Sequence, residues 1–273
     1  MLPEGRRHYT YQFSYICINR FIMSKRCLNC GHSVNLKFCP QCGQSSGVGR
    51  LNWKSFITEF MYVLTHAESK VWGTAWQLIK NPGRMMDEYF AGKRKKYQSP
   101  VAFFLIWVSI SILTHRAIIA HSGFHPVYMP GITFSNPESI KVFIVHGEWM
   151  YILAFPVSAA LLYYIVAWPV YNYIECIVIV MLTFSGTYLF FTLCYVVGGF
   201  IFSLNVLHWQ FYLFQILLSV AYSVWVCITL FRHKHIRLLG VRLIAYLAIN
   251  AVVVLRFLEI LSNIWAGAEG KLE

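Results

Sequence analysis

The run from Trp209 to Phe231 contains no Asp, Glu, Lys or Arg. It is longer than the roughly 20 residues an α-helix needs to cross the hydrocarbon core of a bilayer. Four other long apolar runs accompany it: Pro100 to about Ala120, which carries Arg116, Trp149 to about Pro169, Cys176 to Phe200, and Val241 to Trp265, with Arg256 and Glu259 in its second half. Across the 273 residues, 58% are hydrophobic and only 12% charged, with a mean hydropathy of +0.54. A soluble domain carries about a quarter charged residues. Such a chain is neither an ordinary water-soluble globule, a disordered polypeptide nor a secreted disulfide scaffold. The expected fold is an all-α multi-pass transmembrane helix bundle of about five spans, with a small N-terminal zinc ribbon and an amphipathic, interfacial helix.

Charge distribution sets the expected topology. Residues 1–100 hold fifteen of the 23 Lys and Arg but five of the 11 Asp and Glu. A second cationic cluster, Arg232, Lys234, Arg237 and Arg242, separates the last two apolar runs. Cationic loops stay cytoplasmic. With five spans, both clusters fall on that side and the cation-poor loop 121–148 falls outside. The expected partner of this charge is a bilayer with anionic headgroups, and nucleic acid is not expected.

The strongest local motif is Cys27-Leu-Asn-Cys30-Gly31, followed by Cys39-Pro-Gln-Cys42-Gly43. Two C-x-x-C pairs can place four thiolates tetrahedrally around Zn²⁺, and Gly after each pair permits the positive φ such a knuckle needs. Eight residues between the pairs leave no room for a core, so a bound ion must supply the stability. Disulfides are disfavoured in the cytosol, and iron is the other rival. His32 adjoins the first pair, but Cys27, Cys30, Cys39 and Cys42 already complete a closed structural shell without a catalytic position.

Between head and spans, Trp53, Phe56, Phe60, Leu64, Ala67, Val71, Ala75 and Ile79 recur at helical spacing. This amphipathic stripe is expected to lie in the membrane interface or against the bundle. Asn81-Pro82-Gly83 is expected to end the helix. Lys93, Arg94, Lys95 and Lys96 then form a membrane-surface anchor. The organisation reads as an extension (1–26), zinc ribbon (27–46), neck (51–98), transmembrane domain (99–265) and tail (266–273). Residues 1–22 lack a signal-peptide core, and Met23 would be a natural start.

The ribbon motif, together with Asn81-Pro82-Gly83, Glu88-Tyr89 and Gly92-Lys93-Arg94-Lys95-Lys96-Tyr97, resembles a bacterial family of zinc-ribbon multi-pass membrane proteins of unknown function. The likeness covers about residues 27–105, and the first 22 residues depart from it. It implies a bacterial inner-membrane protein with a cytoplasmic ribbon, and offers no catalytic residue.

No hydrolase, metalloprotease, nucleotide-binding or dinucleotide motif is present, so the reading leans away from an enzyme. The leading expectation is a docking, regulatory or assembly module at the membrane, with a cytoplasmic protein partner for the ribbon and room for homo-oligomers. The alternative is a transporter or channel, with Arg256, Glu259 and a kink at Pro156 lining its path. A third class, a lipid-modifying enzyme, would use His121, His125 and His146.

Overall fold

A computed structural model describes residues 25–53, 56–57, 70–122, 150, 152–201, 209–234 and 236–269. Its helices are α1 (Val71–Lys80), α2 (Pro82–Phe90), α3 (Pro100–Ser122), α4 (Ile152–Ala167), α5 (Tyr173–Cys194), α6 (Trp209–Phe231) and α7 (Leu239–Glu269). A π-helical stretch closes α4 (Tyr163–Ala167), and another prolongs α5 (Tyr195–Ile201).

Among the described residues, four helices are long and apolar enough to cross a membrane: Arg94–Ile118, Tyr173–Gly199, Leu213–Phe231 and Leu239–Gly267. These coincide with four of the five runs read from sequence. The remaining run forms α4, which is apolar but shorter than 18 residues.

Ring contacts fix how the helices run. Phe104 and His115 of α3 lie against Tyr188 of α5 and Tyr195 of its π-helical continuation, respectively, so α3 and α5 are parallel. Helix α6 runs the other way: Tyr222 meets Phe190, and Phe231 meets Tyr171 just before α5. Met150, preceding α4, packs with Val254 and Leu258 in the second half of α7. Helix α5 is central, and Ile174 to Leu182 are buried on every face. Gly186 lets α6 approach it, because a Cβ there would overlap the Tyr222 ring.

The neck differs from its sequence reading in one respect. Asn81-Pro82-Gly83 ends α1 but also starts α2. The Asn81 side chain accepts the Arg84 N–H at 3.1 Å, and Pro82 opens the new helix, where its missing N–H costs nothing. Gly83 is not a turn residue. A Cβ on it would overlap the backbone of Thr229 and Leu230, so the glycine brings α2 onto the end of α6. Of the predicted stripe, Val71, Ala75 and Ile79 lie in α1, whereas Phe60, Leu64 and Ala67 fall outside the described residues, as do residues 1–22.

Candidate metal centre and its seat on the bundle

The head is one motif used twice, twelve residues apart. Cys27 N–H donates to His32 C=O and Gly31 N–H to Cys27 C=O, each at 2.8 Å. Cys39, Gln44 and Gly43 repeat both bonds at the same lengths. Gly31 (φ +77°) and Gly43 (φ +71°) take the left-handed conformation that closes each turn, which side chains other than Gly seldom tolerate. β1 (Lys25–Arg26) pairs antiparallel with β2 (Ser33–Val34), placing Arg26 opposite Ser33. Phe38 and Ser45 form the same bridge twelve residues on.

The two turns bring four sulfurs together. Cys27 Sγ lies 3.6 Å from Cys42 Sγ and Cys30 Sγ 3.6 Å from Cys39 Sγ, with all four within 4.8 Å of one another. Sulfurs held tetrahedrally at about 2.3 Å from one ion stand about 3.8 Å apart, and disulfide sulfurs stand about 2.05 Å apart. The observed spacing fits an ion and not a pair of bridges. His32 is exposed and enters this arrangement through its backbone, its carbonyl accepting the Cys27 N–H.

Gln44, which follows the second knuckle, carries the head onto the helices. Its side chain is 4% exposed. Nε2 donates to Gly92 C=O at 2.8 Å and Oε1 accepts the Lys95 N–H at 3.1 Å. The amide thereby satisfies both sides of one turn, and Gly92 (φ +100°) has no Cβ because Leu28 of the first knuckle occupies that space. Arg94 Nη2 adds a bond to Gly49 C=O at 2.6 Å.

The strap after the head reaches α5. Arg50 meets buried Glu175 through two bonds, Nε to Oε1 at 3.0 Å and Nη2 to Oε2 at 2.8 Å. Hydrogen bonding to this carboxylate raises the Arg50 pKa. Glu175 also accepts the Asn172 N–H while Asn172 Oδ1 accepts the Glu175 N–H, a reciprocal cap on α5 that satisfies two otherwise orphaned donors. Asn172 Nδ2 donates to Leu51 C=O at 3.0 Å. At sequence level Glu175 reads only as an interfacial carboxylate; nothing local announces Arg50, 125 positions earlier, as its partner.

Glu88 organises the basic segment. Its carboxylate accepts from Lys96 Nζ (2.7 Å), Tyr97 O–H (2.7 Å) and Arg84 Nε (3.2 Å), and Lys93 Nζ lies 3.7 Å away. The Lys96 bond leads these in holding the Glu88 pKa at about 2. Asp87 accepts from Tyr171 O–H at 2.7 Å and pairs with Lys234 at 2.9 Å. Burial, then the Asp87 bond, pushes the Tyr171 pKa up. The cations read as a surface anchor thus fall into distinct places: Lys93 and Lys96 on Glu88, Arg94 on the strap, and Lys95 with its backbone on Gln44.

Arg256 and Glu259 form an ion pair at 2.8 Å one turn apart on α7, with the Arg256 side chain 73% exposed on the bundle exterior. His115 stacks on Tyr195, whose O–H donates to Gln215 Oε1 at 3.3 Å, at the end of the bundle away from the head. His125 and His146 fall outside the described residues, and His121 is described only as backbone.

Residues 68–112 match the model of a family described as "Protein of unknown function (DUF3667)". That stretch comprises α1, α2, the basic turn and the first half of α3, and excludes the four cysteines. No curated protein and no solved structure matches the chain.

Proposed function

We propose that this chain is a multi-pass protein of a bacterial inner membrane in which a cytoplasmic Zn²⁺ ribbon is a fixed cap on the helix bundle, serving as a docking or regulatory module. The observation that carries this reading is the Gln44 amide bonded to both sides of the Gly92–Lys95 turn. A tethered, independent ribbon would have no use for that buried contact. Cys27, Cys30, Cys39 and Cys42 would hold the ion. When bound, Zn²⁺ supplies the folding energy of a head too small for its own core. The same ion then fixes the backbone that presents Gln44, since Gln44 C=O receives the Cys39 N–H.

Leu36 and Phe38 stand exposed between the two knuckles, offering a cytoplasmic partner an apolar contact on a rigid support. The bundle crosses five times in this reading, with α4 as the short return. The transporter alternative gains no support from Arg256 and Glu259, which pair with each other along α7, the Arg256 side chain exposed and Glu259 buried.

The test uses the full chain purified in detergent. Wild type is expected to carry about one equivalent of zinc. Cys39→Ser should release it and abolish capture of a cytoplasmic partner while the protein stays inserted. Gln44→Ala should keep the zinc and lose the seat. A metal-free wild type, or the same captured partners with Cys39→Ser, would overturn the proposal.

A further inference from the structure

Helix α1 is too short to span a membrane, yet its contacts lie well inside the ends of the long helices. Near its start the Trp72 ring packs edge-on against Trp107 of α3 at 6.0 Å, and Thr74 Oγ1 accepts the Gln98 N–H at 2.8 Å. Towards its end the Leu78 carbonyl receives the Tyr222 O–H of α6 at 3.4 Å, and the Gly83 N–H then reaches Thr229 Oγ1 at 3.2 Å. Successive turns therefore touch different spans, α3 first and α6 last. A helix running alongside one span would keep one neighbour throughout. Helix α1 lies across the bundle.

Its depth follows from helix geometry. At about 1.5 Å per residue, Trp107 stands about 10 Å inside the start of α3, and Tyr222 about 14 Å inside the end of α6. Thr74, Ala75 and Leu78 are buried against the bundle, whereas Trp72 and Trp76 are 76% and 62% exposed on the other side. Those two indoles continue the surface of α3, a helix long and apolar enough to cross a membrane. Lys70, just before the helix, donates to the Lys95 carbonyl at 2.7 Å, while exposed Lys80 at its end is placed to reach the headgroups along its methylene stem.

We infer that α1 is an in-plane interfacial helix, with Trp72 and Trp76 seated in the lipid leaflet on the side of the cysteine head. The occupant of this surface is phospholipid, because the same indole face borders the flank of a membrane-spanning helix. An amphipathic helix seated this way buries its apolar face about 5–10 Å into the headgroup and acyl boundary, and Trp is the residue enriched there. The segment matched to the family model thus begins as a lipid-contacting collar.

The experiment places a photoreactive amino acid in the full chain, reconstituted in phosphatidylethanolamine and phosphatidylglycerol vesicles: Trp72→benzoylphenylalanine, Trp76→benzoylphenylalanine and, on the head, Lys37→benzoylphenylalanine. Irradiation should yield phospholipid adducts at 72 and 76 and none at 37. Adducts to a second copy of the chain, or no lipid adduct at either tryptophan position, would overturn the inference. Should a bulky probe disturb folding, bromine-labelled lipids serve instead. Wild-type fluorescence should be quenched by shallow bromines, and Trp76→Phe should lose part of that quenching; unchanged quenching in that variant would be equally fatal.

Discussion

Single side chains in this protein join segments that are far apart in the chain, and Gln44 does so with one amide. Replacing it by Ala removes the bond to the Lys95 N–H and one of the two bonds to the Gly92 carbonyl, which keeps the Arg94 N–H, at a cost of about 1–3 kcal/mol. Gln44→Ala should therefore keep its metal but show faster amide exchange over residues 25–50. Gly92→Ala should do the same by a different route, since its left-handed φ and the Leu28 methyl at 2.7 Å both oppose a Cβ. Glu88 provides a pH test. Its carboxyl falls from an ordinary 4.5 to about 2 in the folded protein. A depressed pKa contributes stability that is complete above about pH 4.5 and is lost as the pH drops towards 2. Melting temperatures of wild type and Glu88→Gln should thus differ most near neutrality and converge on acidification, with Glu88→Gln the less stable at pH 7. A constant difference across that range would remove Glu88 from its assigned role.

At the level of elements, glycine marks where helices touch. Gly83 and Gly186 occupy positions where an added methyl would meet Thr229 and Tyr222, whereas Gly73 of α1 has open space around it. Gly83→Ala should destabilise by about 1–3 kcal/mol or more, because the obstructing group is backbone and cannot rotate away. Gly73→Ala should stabilise by about 0.5–1 kcal/mol through helix propensity alone. Thermal unfolding in detergent checks both signs. Hydrophobic run length was enough to locate α3, α5, α6 and α7, since a span must be long and apolar whatever it packs against. Pro82 was harder to interpret: a proline that stops one helix is equally suited to open the next, and only the Asn81 cap decides. The cysteine spacing was likewise legible, because ligand geometry is local. The seat of the head was not. Gln44, Arg50 and Glu175 are ordinary polar residues until folding brings them together, although the twelve-residue repeat does single out Gln44 as the counterpart of His32.

For the whole molecule, parity constrains what the hydropathy of α4 leaves open. The contacts of Arg50, Gly83, Asp87 and Gln44 place the start of α5, the end of α6 and the approach to α3 at one end of the bundle, together with the cysteine head. Helices α3 and α5 run the same way, so the chain must return between them. Within that interval α4 is the described helix available to do so. The π-helical end of α4 and the link to Tyr173 fit this return. Both cationic clusters then share the head's side, as the positive-inside rule requires, and α7 leaves from it. The resulting prediction concerns two insertion sites and a terminus. An epitope inserted within residues 123–149, and another following Glu273, should be reached by antibody from the side opposite the head. An epitope at position 235 should be reached only after the membrane is opened. If the tag following Glu273 were instead to share the head's side, α7 would dip and return, and the bundle would have an even number of crossings. If the 123–149 tag did so, α3 would not cross at all, which its length and its lack of Asp and Glu oppose.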